Sequence, residues 1–456
     1  MKKILYQAAV AALLSTSLLT ACNKKLDVDP VDNIDASTAL ATSADVEAAM
    51  VGAYTGIQNV DAYGGYFQLT SDLLADNGDI AFVGTFIPPN QFQRKVILRD
   101  NGFVQTMWLN AYNTVNRVNS VLGAIDRLDT PGKQARIEGE AKFVRSLLYF
   151  DLVRLFGKAW NDGNPQSNPG VPLVLTPTTV ISAASQVSRN TVAEVYTQVI
   201  ADLTTAENLL PGSNGFFANK YAAAALLARV YLQQGNYPAA AAAANRALQV
   251  PGGALVPSYA DEFTSNNDLL GNTSEDLFAI QVTAQSGRNE LNTFYSASRR
   301  GDVEIQKQLL DQFEKGDTRA KLFRTLSGVV YTTKYDVLYG NIKLLRLAEM
   351  YLTRAEANFR AGTSVGASPL SDINRIRERA GLPALTTLTL PAVLKERKLE
   401  LLFEGFSLHD LKRTQGSTSP PNMPTEVIPF SSNQLVLPIP LREINANPNL
   451  VQNPGY

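Results

Sequence analysis

Residues 221–251 read YAAAALLARVYLQQGNYPAAAAAANRALQVP, and they indicate the fold class more clearly than any other stretch. The match to the offsets of a tetratricopeptide repeat is close at Tyr231, Gly235, Tyr237, Ala240, Ala247, Leu248 and Pro251. In such a repeat, small alanines let two antiparallel helices approach each other, and a glycine ends the first helix. Because one helix pair cannot bury its own apolar face, other pairs must stack on it. The stretch therefore predicts a mainly α-helical fold with tetratricopeptide-like helix pairs as its scaffold.

Helical periodicity extends over most of the chain, from about Asp45 to about Arg413. Within residues 137–156, apolar side chains recur every three or four positions, and additional apolar residues widen that face. We therefore expect this helix to be buried on two sides. Weaker candidates for further helix pairs are residues 50–127, 137–210 and 344–380.

Two regions interrupt the helical rhythm. Residues 61–99 are rich in Gly, Pro and aromatic residues, whereas residues 251–336 contain Gly, Asn and Ser clusters. The second region also includes two short apolar runs, Leu277–Val282 and Val329–Thr333, which predict small β elements. Binding residues commonly lie on loops that a rigid scaffold carries. We predict one helical domain over residues 45–456, with the ligand face on these two excursions.

The amino-terminal residues have the features of an exported lipoprotein. Lys2 and Lys3 precede a run of apolar and small residues that is too short and too rich in Ser and Thr for a membrane span. The run ends in Leu19-Thr-Ala-Cys22, which is typical of a bacterial lipobox, and Cys22 is the only cysteine. We predict a signal peptide over residues 1–21, lipidation of Cys22, and an extended tether over residues 22–44. A single cysteine leaves no internal disulfide to form.

Charge excludes several classes of partner. The chain has 41 basic and 42 acidic side chains, and loss of residues 1–21 would remove two lysines and no acid. A nearly neutral protein without a basic patch does not attract nucleic acid or an anionic membrane electrostatically. We expect no nucleic-acid partner, and we expect the lipid to provide the membrane attachment.

A hydrolase-like pattern occurs near the carboxyl end of the helical region. Gly362-Thr-Ser364-Val-Gly366 is followed by Asp372 and His409, in the order of an α/β-hydrolase triad. A nucleophile elbow needs a strand before the turn, but residues 344–361 have a helical pattern that ends at Gly362. His409 is the only histidine and lies in a short amphipathic pattern, where packing explains it better than catalysis. We predict that the protein is not an enzyme.

Acidic residues could suggest a metal site, but their setting favours ion pairs. Glu396, Glu400 and Glu404 are spaced four apart, as on one helix face, where like charges repel unless cations answer them. Arg and Lys residues nearby in sequence can do this without a metal. Asp72, Asp76 and Asp79 leave structural calcium open, although they do not form an EF-hand pattern. We expect no cofactor.

Aromatic residues on polar loops are the remaining candidates for ligand binding. Sugar rings stack their apolar faces on aromatic rings, and their hydroxyls need amides, carboxylates and Arg. The candidate binding residues are Tyr63, Tyr66, Phe67, Phe82, Phe86, Trp160, Phe294, Tyr295, Arg299 and Arg300. Trp108 lies in a helical pattern and is expected in the core. Two tryptophans are few for a large glycan surface, which keeps peptides and smaller ligands open.

The last segment, residues 435–456, contains four prolines that break helical hydrogen bonding. Its apolar residues Ile439, Leu441, Ile444 and Leu450 are regularly placed, and the chain ends in Tyr456. A segment that cannot hold itself together as a helix needs a preformed surface. We therefore expect an ordered tail that packs along the helical body.

Several separated segments resemble blocks of the SusD/RagB family of outer-membrane nutrient-binding lipoproteins of Bacteroidetes. They are EAKFVRSLLYFDLVRLFG (140–157), RLAEMYLTRAEA (346–357), INRIRERAGLP (373–383) and ERKLELLFEGF (396–406). The lipobox, the lead-in Leu26–Pro30 and the proline-rich tail extend the resemblance over essentially the whole mature chain.

The resemblance implies a non-catalytic helical protein, lipid-anchored in the outer membrane and facing the cell exterior. It also implies a partner, a SusC-like TonB-dependent β-barrel transporter, and an oligosaccharide or, in some branches, a peptide as ligand. The matching blocks are mainly scaffold, so the resemblance does not transfer a ligand site. A protein-interaction scaffold that captures no small ligand remains the alternative.

Overall fold

Stacked helices form the body of the protein in a computed structural model that describes residues 39–265, 269–286 and 289–456. The chain divides into two compact units, Met1–Ala41 and Thr42–Tyr456. Of the first unit only residues 39–41 are described, so the predicted signal peptide, Cys22 and most of the tether lie outside the described residues. All elements named below belong to the second unit.

The helices are α1 (Ser43–Gln58), α2 (Tyr66–Ala75), α3 (Ile87–Arg94), α4 (Gly102–Leu122), α5 (Pro131–Phe156), α6 (Val192–Leu209), α7 (Lys220–Gln234), α8 (Tyr237–Ala247), α9 (Glu290–Tyr295), α10 (Lys307–Leu310), α11 (Leu347–Ala361), α12 (Pro369–Arg379), α13 (Leu390–Glu400), α14 (Ser407–Arg413) and α15 (Leu441–Ala446). The strands are β1 (Ile80–Phe82), β2 (Leu269–Leu270), β3 (Asp276–Ile280), β4 (Val303–Ile305), β5 (Phe323–Leu326), β6 (Val329–Thr332), β7 (Tyr339–Gly340), β8 (Ile342–Arg346), β9 (Ser417–Thr418) and β10 (Ile428–Pro429).

The alanine-rich stretch folds as the helix pair α7 and α8. The Asn219 side chain accepts the first backbone N–H groups of α7, and Gly235, with φ of 72°, ends that helix. Buried alanines line both helices, and α6 and α11 pack against the pair on either side along the chain. The mainly helical fold class is therefore confirmed.

Helix α5 lies at the centre of this stack. It contacts α4 and α6, and Phe143, Leu147 and Phe150 are fully buried, as expected for a helix covered on two sides. Trp108 of α4 is also buried and meets Phe156 of α5 edge to face, with ring centroids 4.9 Å apart. Its predicted place in the core is confirmed.

Two helix boundaries near the carboxyl end differ from those that the sequence predicted. Residues 342–346 form the buried strand β8, which pairs antiparallel with β3, and α11 begins only at Leu347. A short apolar run that is buried all round has the same pattern in a strand and in a helix, so periodicity could not separate them. Helix α13 ends at Glu400, and Phe403 takes a left-handed φ of 64°, so Glu404 lies beyond the helix.

The two irregular regions meet in a four-stranded sheet of order β1-β4-β6-β5. Strand β1 belongs to the first region and pairs antiparallel with β4 of the second, with Phe82 opposite Val303. The expected strands near residues 277–282 and 329–333 are confirmed as β3 and β6. This sheet brings parts of the chain that are far apart in sequence to one surface.

The carboxyl-terminal tail lies against the end of α5. The Leu437 N–H donates to the Leu155 carbonyl at 2.8 Å, and the Asn453 side chain donates to the Phe156 carbonyl at 2.8 Å. The tail does contain one short helix, α15, which begins directly after Pro440. This six-residue helix fits between Pro440 and Pro448, because a proline that directly precedes the first helical turn does not interrupt the hydrogen bonds of that turn.

Candidate functional site

An open concavity of about 570 Å³ lies beside β1. Residues 84–87, 90, 91, 94, 96, 98, 422 and 423 line it, and we call this surface the Phe86 face. Phe86 is 40% exposed and Ile87 is 70% exposed, and Val96, Leu98 and Met423 are exposed beside them. These exposed apolar side chains are grouped around one concavity, which makes this surface the candidate binding site.

A buried polar network anchors the loop that carries this face. Lys95 follows the last residue of helix α3 and caps it, and its left-handed backbone (φ of 57°) turns its side chain into the protein. Lys95 Nζ donates to the carbonyls of Leu73, Asp76 and Gln93 at 3.3, 2.9 and 2.9 Å. Burial lowers the pKa of Lys95 to about 8, although the nearby Asp76 carboxylate acts in the opposite direction.

Gln93 and Asp76 connect this anchor to β1. Gln93 Oε1 accepts the Phe82 N–H at 2.8 Å, and its Nε2 donates to Asp76 Oδ2 at 3.2 Å. The other carboxylate oxygen of Asp76 accepts the N–H groups of residues 78, 79 and 80. Burial raises the pKa of Asp76, and these hydrogen bonds oppose that change. The loop is therefore held by side chains whose hydrogen bonds are largely satisfied.

Aromatic packing orients Phe86 itself. Its ring meets Phe294 edge to face, with centroids 6.3 Å apart, and Phe294 in turn contacts the stacked pair of Tyr66 and Phe103. The Arg300 guanidinium lies 4.3 Å from the centroid of the Phe86 ring. Arg300 is held by Asp302, to which its Nε donates at 2.7 Å. One ring is thus fixed in place and partly exposed.

Polar groups surround that ring. Asn90, Gln91, Arg94 and Asn422 line the concavity. Over the part of the chain that the structure describes, Arg94 has no acidic side chain within ion-pair distance. A fixed aromatic ring beside amides and an unpaired guanidinium can stack on an apolar ligand face and donate hydrogen bonds to ligand oxygens.

Five of the predicted binding residues lie in the core, which corrects the expectation that they face a ligand. These residues are Tyr63, Phe67, Phe82, Phe294 and Tyr295. Tyr63 donates a hydrogen bond to Asp151, and Tyr295 donates one to Asp72 at 2.9 Å. The glycine-rich loop sequence suggested that these rings are exposed to solvent, but packing against residues far away in the sequence buries them. Phe294 still contributes indirectly, because it supports Phe86.

The other predicted residues are at least partly exposed. Phe86 lines the face, Arg300 covers its ring, and Tyr66 packs behind it. Arg299 is exposed but is not among the lining residues. Trp160 is half-buried against Tyr196, with centroids 5.0 Å apart, and also does not line the face.

Several residues of the Phe86 face were not predicted. Ile87, Asn90 and Arg94 lie in the region 61–99 that sequence marked as a binding loop, so its polar residues could have been included. Asn422 and Met423 come from the segment before the tail, where nothing in the sequence signals binding. Only the tertiary fold brings that segment to β1.

The acidic residues form ion pairs, as predicted. Glu396 pairs with Arg377 at 2.6 Å, and Glu404 pairs with Lys334 and Arg346 at 2.7 and 2.8 Å. Two of these cations lie far from the glutamates in sequence. Among the described residues, no group of three or more His, Cys, Asp or Glu is placed to hold a metal ion.

Neither hydrolase candidate has the setting of a catalytic residue. Helix α11, not a strand, precedes Ser364, and Gly362 ends that helix with φ of 66°. His409 is buried, and burial together with the charges of Arg154 and Lys412 lowers its pKa well below the usual value. It is therefore neutral and packed, as expected.

Two family models match the chain. The model described as the SusD family matches residues 314–456, and the model described as starch-binding associating with outer membrane matches residues 26–232.

Within the described residues, no helix combines the length and apolar character that a bilayer span requires.

Two curated relatives match over nearly their whole lengths. A SusD-like protein of Formosa agariphila is 29% identical, with all of both chains covered. The starch-binding protein SusD of Bacteroides thetaiotaomicron is 24% identical, with 100% of this chain and 99% of that protein covered.

Solved structures agree with these matches. A putative sugar binding protein from Bacteroides vulgatus superposes with a TM-score of 0.82 at 29% identity, covering 92% of this chain and all of that one. A SusD superfamily protein from Bacteroides thetaiotaomicron gives 0.80 at 26% identity, covering 91% of this chain and all of that one. Two of these relatives are named as sugar- or starch-binding proteins, which agrees with the expectation of a binding protein. Because family models match residues 26–232 and 314–456, and relatives and solved structures match nearly the whole chain, this protein is similar to the SusD/RagB family over most of its length.

Proposed function

We propose that this protein is a cell-surface lipoprotein that binds an oligosaccharide at the Phe86 face and delivers it to a SusC-like TonB-dependent transporter. The single observation that carries the proposal is the Phe86 ring, which is partly exposed, fixed by Phe294 and Arg300, and bordered by amide side chains and Arg94. Sugar rings need this combination of an apolar stacking surface and hydrogen-bond donors. Sugar- and starch-binding relatives support a carbohydrate-binding role.

The proposed location follows from the sequence and the family. Cys22 would carry the lipid after removal of residues 1–21, and the family description associates such proteins with the outer membrane. Orientation toward the cell exterior and delivery to the transporter complete the proposal. Surface labelling of intact cells tests the orientation, and co-purification of the barrel with this protein tests the partnership with the transporter.

Binding is tested by calorimetry of the purified protein against a panel of neutral oligosaccharides. At least one glycan should bind, and Phe86→Ala should weaken that binding about 10-fold, because loss of ring stacking costs about 1–2 kcal/mol. Phe216→Ala is the matched control, since Phe216 is 65% exposed and does not line the face. The control should bind the same glycan as tightly as the unmodified protein.

The outcomes separate the alternatives. If no glycan binds but a peptide does, and Phe86→Ala weakens that binding, the protein is a peptide-binding member of the family. If neither class binds while the transporter still co-purifies, the protein is an interaction scaffold. Equal glycan binding by Phe86→Ala and Phe216→Ala would contradict the assignment of this face.

A further inference from the structure

One side of helix α3 is turned toward the concavity of the Phe86 face. Ile87, Asn90, Gln91 and Arg94 are three or four positions apart, which is the spacing of a single stripe along a helix, and all four line the concavity. Other residues of α3 are buried on the opposite side, whereas Arg94 is exposed. The helix therefore presents the Arg94 guanidinium on the same surface as the Phe86 ring.

Arg94 gives this surface a positive charge that no neighbouring carboxylate balances. Among the described residues that line the concavity, none is an aspartate or a glutamate. The other guanidinium beside the ring belongs to Arg300, and its Nε donates to Asp302 Oδ2 at 2.7 Å, so its charge is balanced. The Phe86 face thus carries one net positive charge, at Arg94.

An anionic group on a bound sugar would use this charge. A guanidinium can donate two parallel hydrogen bonds to a carboxylate and matches the oxygens of a sulfate equally well. A neutral hydroxyl also accepts a hydrogen bond from Arg94, but it gains no attraction between opposite charges. Because no acidic side chain lines the concavity in the described part of the chain, nothing there repels an incoming anion.

We propose that the Phe86 face prefers oligosaccharides that carry an anionic group, either a uronate carboxylate or a sulfate ester, and that Arg94 determines this preference. The Phe86 ring stacks on a sugar in either case, so neutral glycans still bind, but more weakly. This preference rests on the proposed oligosaccharide-binding function and narrows it to acidic sugars.

Matched pairs of glycans that differ in charge test the preference by calorimetry. One pair is tetragalacturonate and its fully methyl-esterified form, and the other is a sulfated carrageenan tetrasaccharide and its desulfated form. We expect the anionic member of at least one pair to bind about 5-fold tighter, which is the effect of a well-formed exposed ion pair. The pair that responds distinguishes a carboxylate from a sulfate. The advantage should shrink as sodium chloride rises from about 50 to about 500 mM, because salt screens exposed charges.

Two substitutions that remove the same charge separate Arg94 from a general effect of net charge. Arg94→Gln should abolish the preference and leave binding of the neutral member within about twofold of its original value. Arg99→Gln is the matched control and should keep the preference, since Arg99 is exposed nearby in the chain but does not line the concavity. Arg94→Glu should reverse the preference. Phe86→Ala should weaken both members of a pair by the same factor.

Circular dichroism shows whether each variant folds, and the salt series on the unmodified protein tests the charge dependence without any variant. Equal binding of the anionic and neutral members would overturn the preference, and equal effects of Arg94→Gln and Arg99→Gln would overturn the role of Arg94. Binding of neutral glycans alone would overturn this inference and leave the proposed function intact. Failure of every glycan to bind would overturn both.

Discussion

Arg346 Nη1 donates to Glu400 Oε1 at 2.7 Å, and both side chains are buried to 1% exposure or less. This contact joins strand β8 to the end of α13. Arg346 also pairs with Glu275 and Glu404. Burial alone would raise the pKa of Glu400, but the surrounding arginines outweigh burial and lower that pKa to about 2. The carboxylate therefore remains charged inside the protein.

Removing this guanidinium should strongly destabilise the fold. Arg346→Met leaves several buried carboxylates without their shared cation, and we expect a loss of about 3–5 kcal/mol in the free energy of unfolding, measured in urea. Lys307→Met is the control, because the Lys307–Asp311 pair is exposed and should contribute less than about 1 kcal/mol. Similar losses in the two variants would contradict the importance of the buried network.

Asp72 should make stability depend on pH. Burial raises the pKa of Asp72 to about 7 from a usual value of 3.8, although Ser407 and Tyr295 donate hydrogen bonds to it. Between about pH 4 and pH 7 the folded state holds a proton that the unfolded state has lost, so this group reduces stability as the pH rises.

The comparison with Asp72→Asn isolates that contribution. We expect the variant to gain stability relative to the unmodified protein as the pH rises from about 4 to 8, by a few kcal/mol at most. Urea denaturation at several pH values measures this difference. A difference that does not change with pH would mean that Asp72 stays charged in the folded protein.

The two glycines of the hydrolase-like motif should respond unequally to the same substitution. A Cβ at Gly362 would meet open space, so Gly362→Ala should cost about 1 kcal/mol, from its left-handed backbone alone. A Cβ at Gly366 would lie 1.9 Å from Asn245 Oδ1 and 2.5 Å from Arg354 Nη1, two atoms that hydrogen-bond each other. We expect Gly366→Ala to cost about 2 kcal/mol or more in thermal or urea unfolding. Equal costs would show that the Arg354–Asn245 contact is easily displaced.

The tail should contribute measurably to stability. Asn453 donates to the Phe156 and Leu437 carbonyls at 2.8 and 2.7 Å and accepts from Arg189 at 2.9 Å. Asn453→Ala leaves these buried groups unmatched, so we expect a loss of about 1–3 kcal/mol in the free energy of unfolding. Asn445→Ala, at an exposed position of α15, should change little.

Deletion of residues 435–456 should lower the melting temperature by more than Asn453→Ala does, because it also exposes the end of α5. An unchanged melting temperature after this deletion would show that the tail does not stabilise the helical body. Differential scanning calorimetry of the three variants tests both statements.

Sequence was most informative where local chemistry decides structure. The alanine pair α7 and α8, the glycine that ends α11 and the core position of Trp108 all follow from spacing and residue type. The strand β8 was missed because a fully buried strand lacks the alternation that distinguishes it from a helix. The binding residues were predicted less well, since aromatic loop residues can be exposed or buried according to distant contacts.

The sequence by itself determined the helical scaffold and the similarity to the SusD/RagB family, because helix spacing, capping and motif blocks are local properties of the chain. Only the tertiary structure decided which aromatic ring is exposed. Phe294 is buried and Phe86 is partly exposed. This difference arises from the pairing of β1 with β4 and from the approach of residues 422 and 423, which are contacts between segments far apart in sequence. Burial is a property of the whole fold, so no local pattern could assign it to one phenylalanine and not to the other.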